Sequence, residues 1–235
     1  MRGETLAWYE ARVADDLAAY AKQLRRTTEW EFGAAVVAEI EQFLHTLLAQ
    51  EHLGGALVLI GYEMEGGKDD AMIIRAARAV EMFHAVVTMQ RNRDAAQNAT
   101  EAGERAAQLI LMNLEVDAEA NRRAVSIMNR TLLLSAHAQT ARKHNDMAQQ
   151  VLAWEALERA VNPIHVGMVL AGADCHATDG IAPFATAYGQ ALMDTGAAGA
   201  TFLETAEREL HALKNLWPAA VPLLGTLLTD ARRLS

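Results

Sequence analysis

Leu53 to Asp94 read LGGALVLIGYEMEGGKDDAMIIRAARAVEMFHAVVTMQRNRD, and two helices are legible in that stretch before anything else. The first covers Leu53 to Met64 and is ended by the Gly66-Gly67 pair; Asp69-Asp70 then suits the N-terminal cap of the next. In that second helix Ile73, Ala76, Ala77, Val80, Phe83, His84 and Val87 recur at three and four residues, as one helix face requires.

The same pattern extends outward. No glycine or proline occurs from Lys68 to Ala102 or from Glu104 to Asn162, and all four prolines lie in the last third of the chain. Such gaps suit long uninterrupted helices. Upstream, helices are predicted from Thr5 to Arg26, with Leu6, Val13, Leu17, Tyr20 and Leu24 inward, and from Glu31 to Gln50. Downstream they are predicted over Ala102 to Leu114, Asp117 to Lys143 and Asn145 to Val161. Another follows Pro163, another begins near Ile181, and a last pair lies between Glu204 and Arg233. No run alternates with period two for long enough to make a strand, and neither a repeat nor a linker interrupts the 235 residues. An all-α, single-domain reading over residues 1–235 follows.

Composition agrees. Hydrophobic residues make up 51% of the chain but aromatics only 6%, so Ala, Leu, Val and Met must fill the core. A net charge of −9 without a basic run argues against nucleic acid and anionic membranes as partners. The most apolar stretch of the first half, Leu53 to Tyr62, is far below spanning length, so no transmembrane segment is expected. The N-terminal residues carry acids and no apolar run, which predicts no signal peptide. With a single cysteine, Cys175, a reducing cytoplasmic location fits.

Local chemistry is sparse. Glu81 and His84 form an ExxH on one helix face, within reach of a single ion. A di-iron bundle needs a second such pair, which the sequence lacks, so a helix-face Glu and a half-buried His are the simpler reading. Asp174-Cys175-His176 with Asp179 sits between Gly172 and Gly180 in what reads as a polar loop, without diagnostic ligand spacing. No nucleophile elbow, P-loop or dinucleotide fingerprint is present. No metal or cofactor is expected.

In order and spacing, Leu53 to Asp94 resembles the trans-isoprenyl diphosphate synthase (polyprenyl synthetase) family. That family has an Arg-Pro, an apolar run, a Gly-Gly, and an Ala-rich helix carrying Glu-x-x-His; seven residues after that His comes the first Asp-Asp-x-x-Asp motif. Here the apolar run is Ala56 to Tyr62, the glycines are Gly66-Gly67, and Glu81 and His84 stand at the Glu-x-x-His. AVSIMNRTLLLSAHA (Ala124 to Ala138) is similar to the family's Gly-Asp helix, and EALERAVNPIHVGMVLAGA (Glu155 to Ala173) to its Lys-Thr helix. Tyr188-Gly189 matches the start of the helix bearing the second Asp motif. The resemblance implies a helical bundle of the isoprenoid synthase type, shortened before Glu155 and after Gly199.

Within that frame the family's catalytic elements have changed. The Arg-Pro falls on Gly54-Gly55, the first Asp motif on Arg91-Asn92-Arg93-Asp94-Ala95, the Gly-Asp on Asn129-Arg130 and the Lys-Thr on Glu155-Ala156. The second Asp motif falls near Gly196 to Thr201, and no acid appears before Glu204. Family members hold their diphosphate through magnesium, which wants carboxylate and phosphate oxygens; arginines repel it. The resemblance therefore implies a non-catalytic relative, a regulatory or small subunit. Its partner would be a second copy or a catalytic prenyl diphosphate synthase, and an isoprenoid is a possible ligand. Glu81, His84, Arg91, Asn92, Arg93 and Asp94 are the candidate ligand-binding residues. The alternative is a metal-independent enzyme, with arginines holding the diphosphate directly, or a carrier of an apolar ligand.

Overall fold

The computed structural model describes residues 5–31, 34–68, 71–91, 97–143, 148–194, 196–218 and 220–234. Among these, every regular element is helical. In chain order they are α1 (Leu6–Glu31), α2 (Ala34–Ala49), α3 (Leu53–Met64), α4 (Ala71–Arg91), α5 (Gln97–Met112) and α6 (Ala118–Lys143). Then come α7 (Ala148–Ala156), α8 (Asn162–Leu170), α9 (Cys175–Met193), α10 (Ala197–Ala212) and α11 (Val221–Leu234).

The two helices read first are the innermost. In α3 nine residues are buried, and in α4 thirteen, including Glu81. Helix α3 runs against α8 backbone to backbone. A β-carbon on Gly61 would stand 2.2 Å from the Ile164 carbonyl oxygen, and one on Gly167 only 2.0 Å from that of Val58. Around this pair, α1, α2, α5, α6 and α9 turn Leu17, Leu44, Leu111, Met128 and Phe184 inward, each fully buried. No single helix among the described residues is long and apolar enough to cross a membrane.

Helix α3 has the predicted bounds, and Gly66 closes it at φ +81°, a conformation that favours glycine. The proposed Asp69-Asp70 cap lies outside the described residues. Three expectations need correction. Pro163 does not start a separate helix: α7 passes into α8 through a π-helical turn, Leu157–Val161, in which the Asn162 N–H donates to the Leu157 carbonyl. Proline lacks the N–H and crowds the carbonyl four residues back, and the widened turn lets the helix continue past it. The stretch Gly172 to Gly180 is not wholly a loop: Asp174 accepts the Ala177 N–H at 2.9 Å and caps α9, which starts six residues before Ile181. Gly180 sits inside that helix because the Trp217 ring packs on it, 3.1 Å from where a β-carbon would be. Helices α5 and α10 also begin earlier than expected, at Gln97 and Ala197.

Candidate functional site

The N-terminus of α3 is capped from outside its own segment. His52, in the cap position, offers no side-chain hydrogen bond. Instead Glu81 of α4, fully buried, accepts the Gly55 N–H on Oε1 at 2.5 Å. Its other oxygen accepts from Gln50 Nε2 at 2.8 Å, and the same amide reaches the Glu81 carbonyl at 2.9 Å. A carboxylate here meets orphan helix donors and the positive end of the helix dipole, so its burial is compensated. Gly54 lies between Glu81 and His84: a β-carbon there would be 2.2 Å from His84 Cε1 and 3.2 Å from Glu81 Oε1. The glycine pair lets α3 close onto α4. The structure thus brings Glu81 and His84 together as expected from their spacing, but Glu81 is already committed to α3.

Two helical turns beyond His84 along α4, the charge reverses. Arg91 Nη2 donates to Glu158 Oε2 at 2.6 Å, lies 4.0 Å from Glu155 Oε1, and reaches Ser135 Oγ of α6 at 3.5 Å. Arg142, near the end of α6, meets Glu155 Oε1 at 2.5 Å. Glu155 and Glu158 stand on one face, at and within the π turn, and both are buried. Burial pushes the Glu158 carboxyl above its ordinary range, although Arg91, His84 and Arg159 pull the other way. His84 Nε2 lies 3.3 Å from the Glu158 carbonyl oxygen, tying the two ends of the site together.

A polar cavity of about 320 Å³ opens between these groups, lined by Gln50, His84, Thr88, Arg91, Glu158 and Arg159 among others. Asn92, Arg93 and Asp94 lie outside the described residues. Glu158, Arg142 and Gln50 are the parts that sequence spacing did not point to. The donor set does not suit magnesium. Beside the cavity Glu155 and Glu158 are paired with guanidinium groups, leaving Glu51 as a lone carboxylate in its wall; Glu81 is saturated by N–H donors, and no group of three His, Cys, Asp or Glu among the described residues could hold a metal ion. Of the Asp174–Asp179 cluster, Asp174 serves as a cap while Cys175, His176 and Asp179 are exposed.

No family model matches the sequence, and no curated protein does. Solved structures match throughout. A geranyltransferase from Helicobacter pylori, complexed with magnesium and isoprenyl diphosphate, superposes with a TM-score of 0.71 at 11% identity, covering 94% of this chain and 96% of its own. A geranylgeranyl pyrophosphate synthetase from the archaeon Geoglobus acetivorans gives 0.71 at 14% identity, covering 94% and 98%. The geranyl diphosphate synthase small subunit from Antirrhinum majus gives 0.68 at 15% identity, covering 91% and 98%. With its helices packed around α3 and α4 and matches along nearly its whole length, the chain has the all-α isoprenoid synthase fold of the prenyl diphosphate synthases.

Proposed function

We propose that this protein is a non-catalytic relative of the prenyl diphosphate synthases that acts as a regulatory or small subunit. Residues 1–235 form one isoprenoid-synthase-like domain in this reading, working in the cytoplasm. The observation that carries it is the Arg91–Glu158 pair. Arg91 stands where the resemblance puts the first metal-binding aspartate, and Glu155 where it puts a lysine. Both signs are inverted: Arg91 hydrogen-bonds Glu158 and stands 4.0 Å from Glu155, which also meets Arg142 across the cleft.

The same pairing weakens the alternative of a metal-independent diphosphate enzyme, since Arg91 is spent on Glu158 rather than presented to a ligand. A partner surface has its own support. Leu109 and Met112 of α5 and Leu133 of α6 are more than half exposed, flanking the Gln108–Asn129 hydrogen bond that joins the two helices. Exposed leucines grouped this way favour self-association or pairing with a synthase. One matching structure is itself a small subunit and another a heterotetrameric geranyl pyrophosphate synthase.

Co-expression with a trans-prenyl diphosphate synthase from the same source tests the proposal. The expected result is a stable complex with altered product length or rate, lost in Leu109→Glu/Leu133→Glu. A strictly self-associated protein that copurifies with no prenyltransferase would overturn the partner reading. Prenyl diphosphate turnover by the protein alone would overturn its non-catalytic status. Titration with farnesyl and geranylgeranyl diphosphates, with and without magnesium, reads separately whether the cavity keeps an isoprenoid ligand.

A further inference from the structure

A second cavity, of about 340 Å³, lies on the other side of Leu53 between α1, α3, α9 and α11. Three carboxylates border it: Glu10, Glu51 and Asp230. Glu10 and Glu51 form no ion pair with any described residue. Burial and then the neighbouring Glu51 raise the Glu10 carboxyl above its ordinary range, with His52 the one opposing charge; Asp230 and Glu81 add to the rise. Leu6, Leu53 and Leu192 make the remaining wall apolar.

An independent feature points to a ligand. Tyr188 of α9 is 1% exposed and lines this cavity, yet its hydroxyl makes no hydrogen bond to any described residue. Burial, and then the charges of Glu10, Asp230 and Glu51, push its hydroxyl well above the ordinary range. With its ring buried and no protein partner, the phenol oxygen can bond only to what occupies the cavity. The group that answers a phenol oxygen and several carboxylates at once is a cationic donor. The carboxylates are not disposed to coordinate a metal ion. An ammonium with three N–H donors tolerates their spread, and a hydrocarbon tail would suit the leucine wall.

We propose that this cavity binds a primary alkylammonium ion, its nitrogen donating to Glu10, Glu51 and the Tyr188 oxygen and its chain lying on Leu6, Leu53 and Leu192. The cavity adjoins the Arg91–Glu158 cleft, which Glu51 and Leu53 also border, but the proposal does not depend on the subunit reading. Hexylamine titrated calorimetrically into the full chain tests it, with 1-hexanol and magnesium chloride as separate probes. Each charge-assisted hydrogen bond is worth about tenfold or more in affinity, so hexylammonium should bind at least that much tighter than hexanol. Tyr188→Phe and Glu10→Gln should each weaken it about tenfold. Tyr188→Phe should fold as well as the parent, because the hydroxyl it removes has no protein partner. Equal binding of hexanol, no binding of the amine, binding undiminished in both variants, or displacement of the amine by millimolar magnesium would each overturn the proposal.

Discussion

Replacing Arg91 by methionine and Glu158 by glutamine should have unequal costs, although the two side chains are halves of one ion pair. At 2.6 Å, and with an effective dielectric of about 20, their gross attraction is roughly 6 kcal/mol. Desolvation consumes most of that, and it falls unevenly: the Glu158 side chain is 5% exposed while Arg91 is 22% exposed. Arg91→Met strands a buried carboxylate and weakens the hold on Glu155, which should cost about 3 kcal/mol. For a chain of this size that lowers Tm by roughly 6–12 °C. Glu158→Gln removes a charge that burial already disfavours, and Arg91 keeps Glu155 and solvent. Its effect at pH 7 should stay within about 1 kcal/mol, on the stabilising side.

The pH dependence carries the same sign. The folded-state pKa of Glu158 lies above the unfolded 4.5, so the folded protein holds this proton more tightly. The penalty for its charge is therefore fully present above the folded pKa and fades as pH falls through that pKa towards 4.5. The advantage of Glu158→Gln should vanish with it. Urea unfolding followed by circular dichroism at pH 7 and pH 4, for both single variants and the double, reads all of this. Arg91→Met/Glu158→Gln should recover most of the stability lost in Arg91→Met, a coupling of about 2 kcal/mol. Equal costs for the two single changes, or additive behaviour in the double, would refute burial as the dominant influence on Glu158.

Three further outcomes are expected. Gly54→Ala forces a methyl to 2.2 Å from His84 Cε1 and should destabilise by about 1–3 kcal/mol, with His84→Ala in the same chain relieving much of the loss in thermal melts. Glu81→Gln swaps one acceptor oxygen for a donor facing either Gly55 N–H or Gln50, and should cost about 2–3 kcal/mol in denaturant titration. Glu10→Gln should gain stability at pH 7, about 0.5 kcal/mol after allowing for the solvent that reaches it, because its folded pKa is raised; the gain should shrink as pH falls towards 4.5.

The helices were legible wherever local signals agreed with packing. Gly66-Gly67 closes α3 where it was expected to, because the glycine that ends the helix also takes a positive φ. Pro163 and Gly180 misled, since each answers to something distant from its own neighbours in sequence. A π turn absorbs the proline, and Trp217 explains the glycine. In the site, the three-residue spacing of Glu81 and His84 placed them together, but could not say that Glu81 would be occupied by the start of α3. Glu158 was invisible for a related reason. Its partner is 67 residues away, and no periodicity within α7 and α8 distinguishes a glutamate facing solvent from one facing Arg91.

That long-range pairing also explains how such a bundle keeps its shape without the ligands the resemblance implies. Helices α4, α6 and α7 converge on a cleft too polar to collapse and too enclosed to hydrate every group. Carboxylates on one wall then require a cation, and a magnesium ion or a guanidinium meets that electrostatic need. Placing Arg91 on α4 and Arg142 on α6 supplies the cation covalently, so Glu155 and Glu158 are paired whether or not anything binds. The cleft becomes part of the scaffold. Under the proposed non-catalytic reading, a chain in this state holds the fold without metal-binding aspartates, and its outer helices, with Leu109, Met112 and Leu133 exposed, are where a partner would dock.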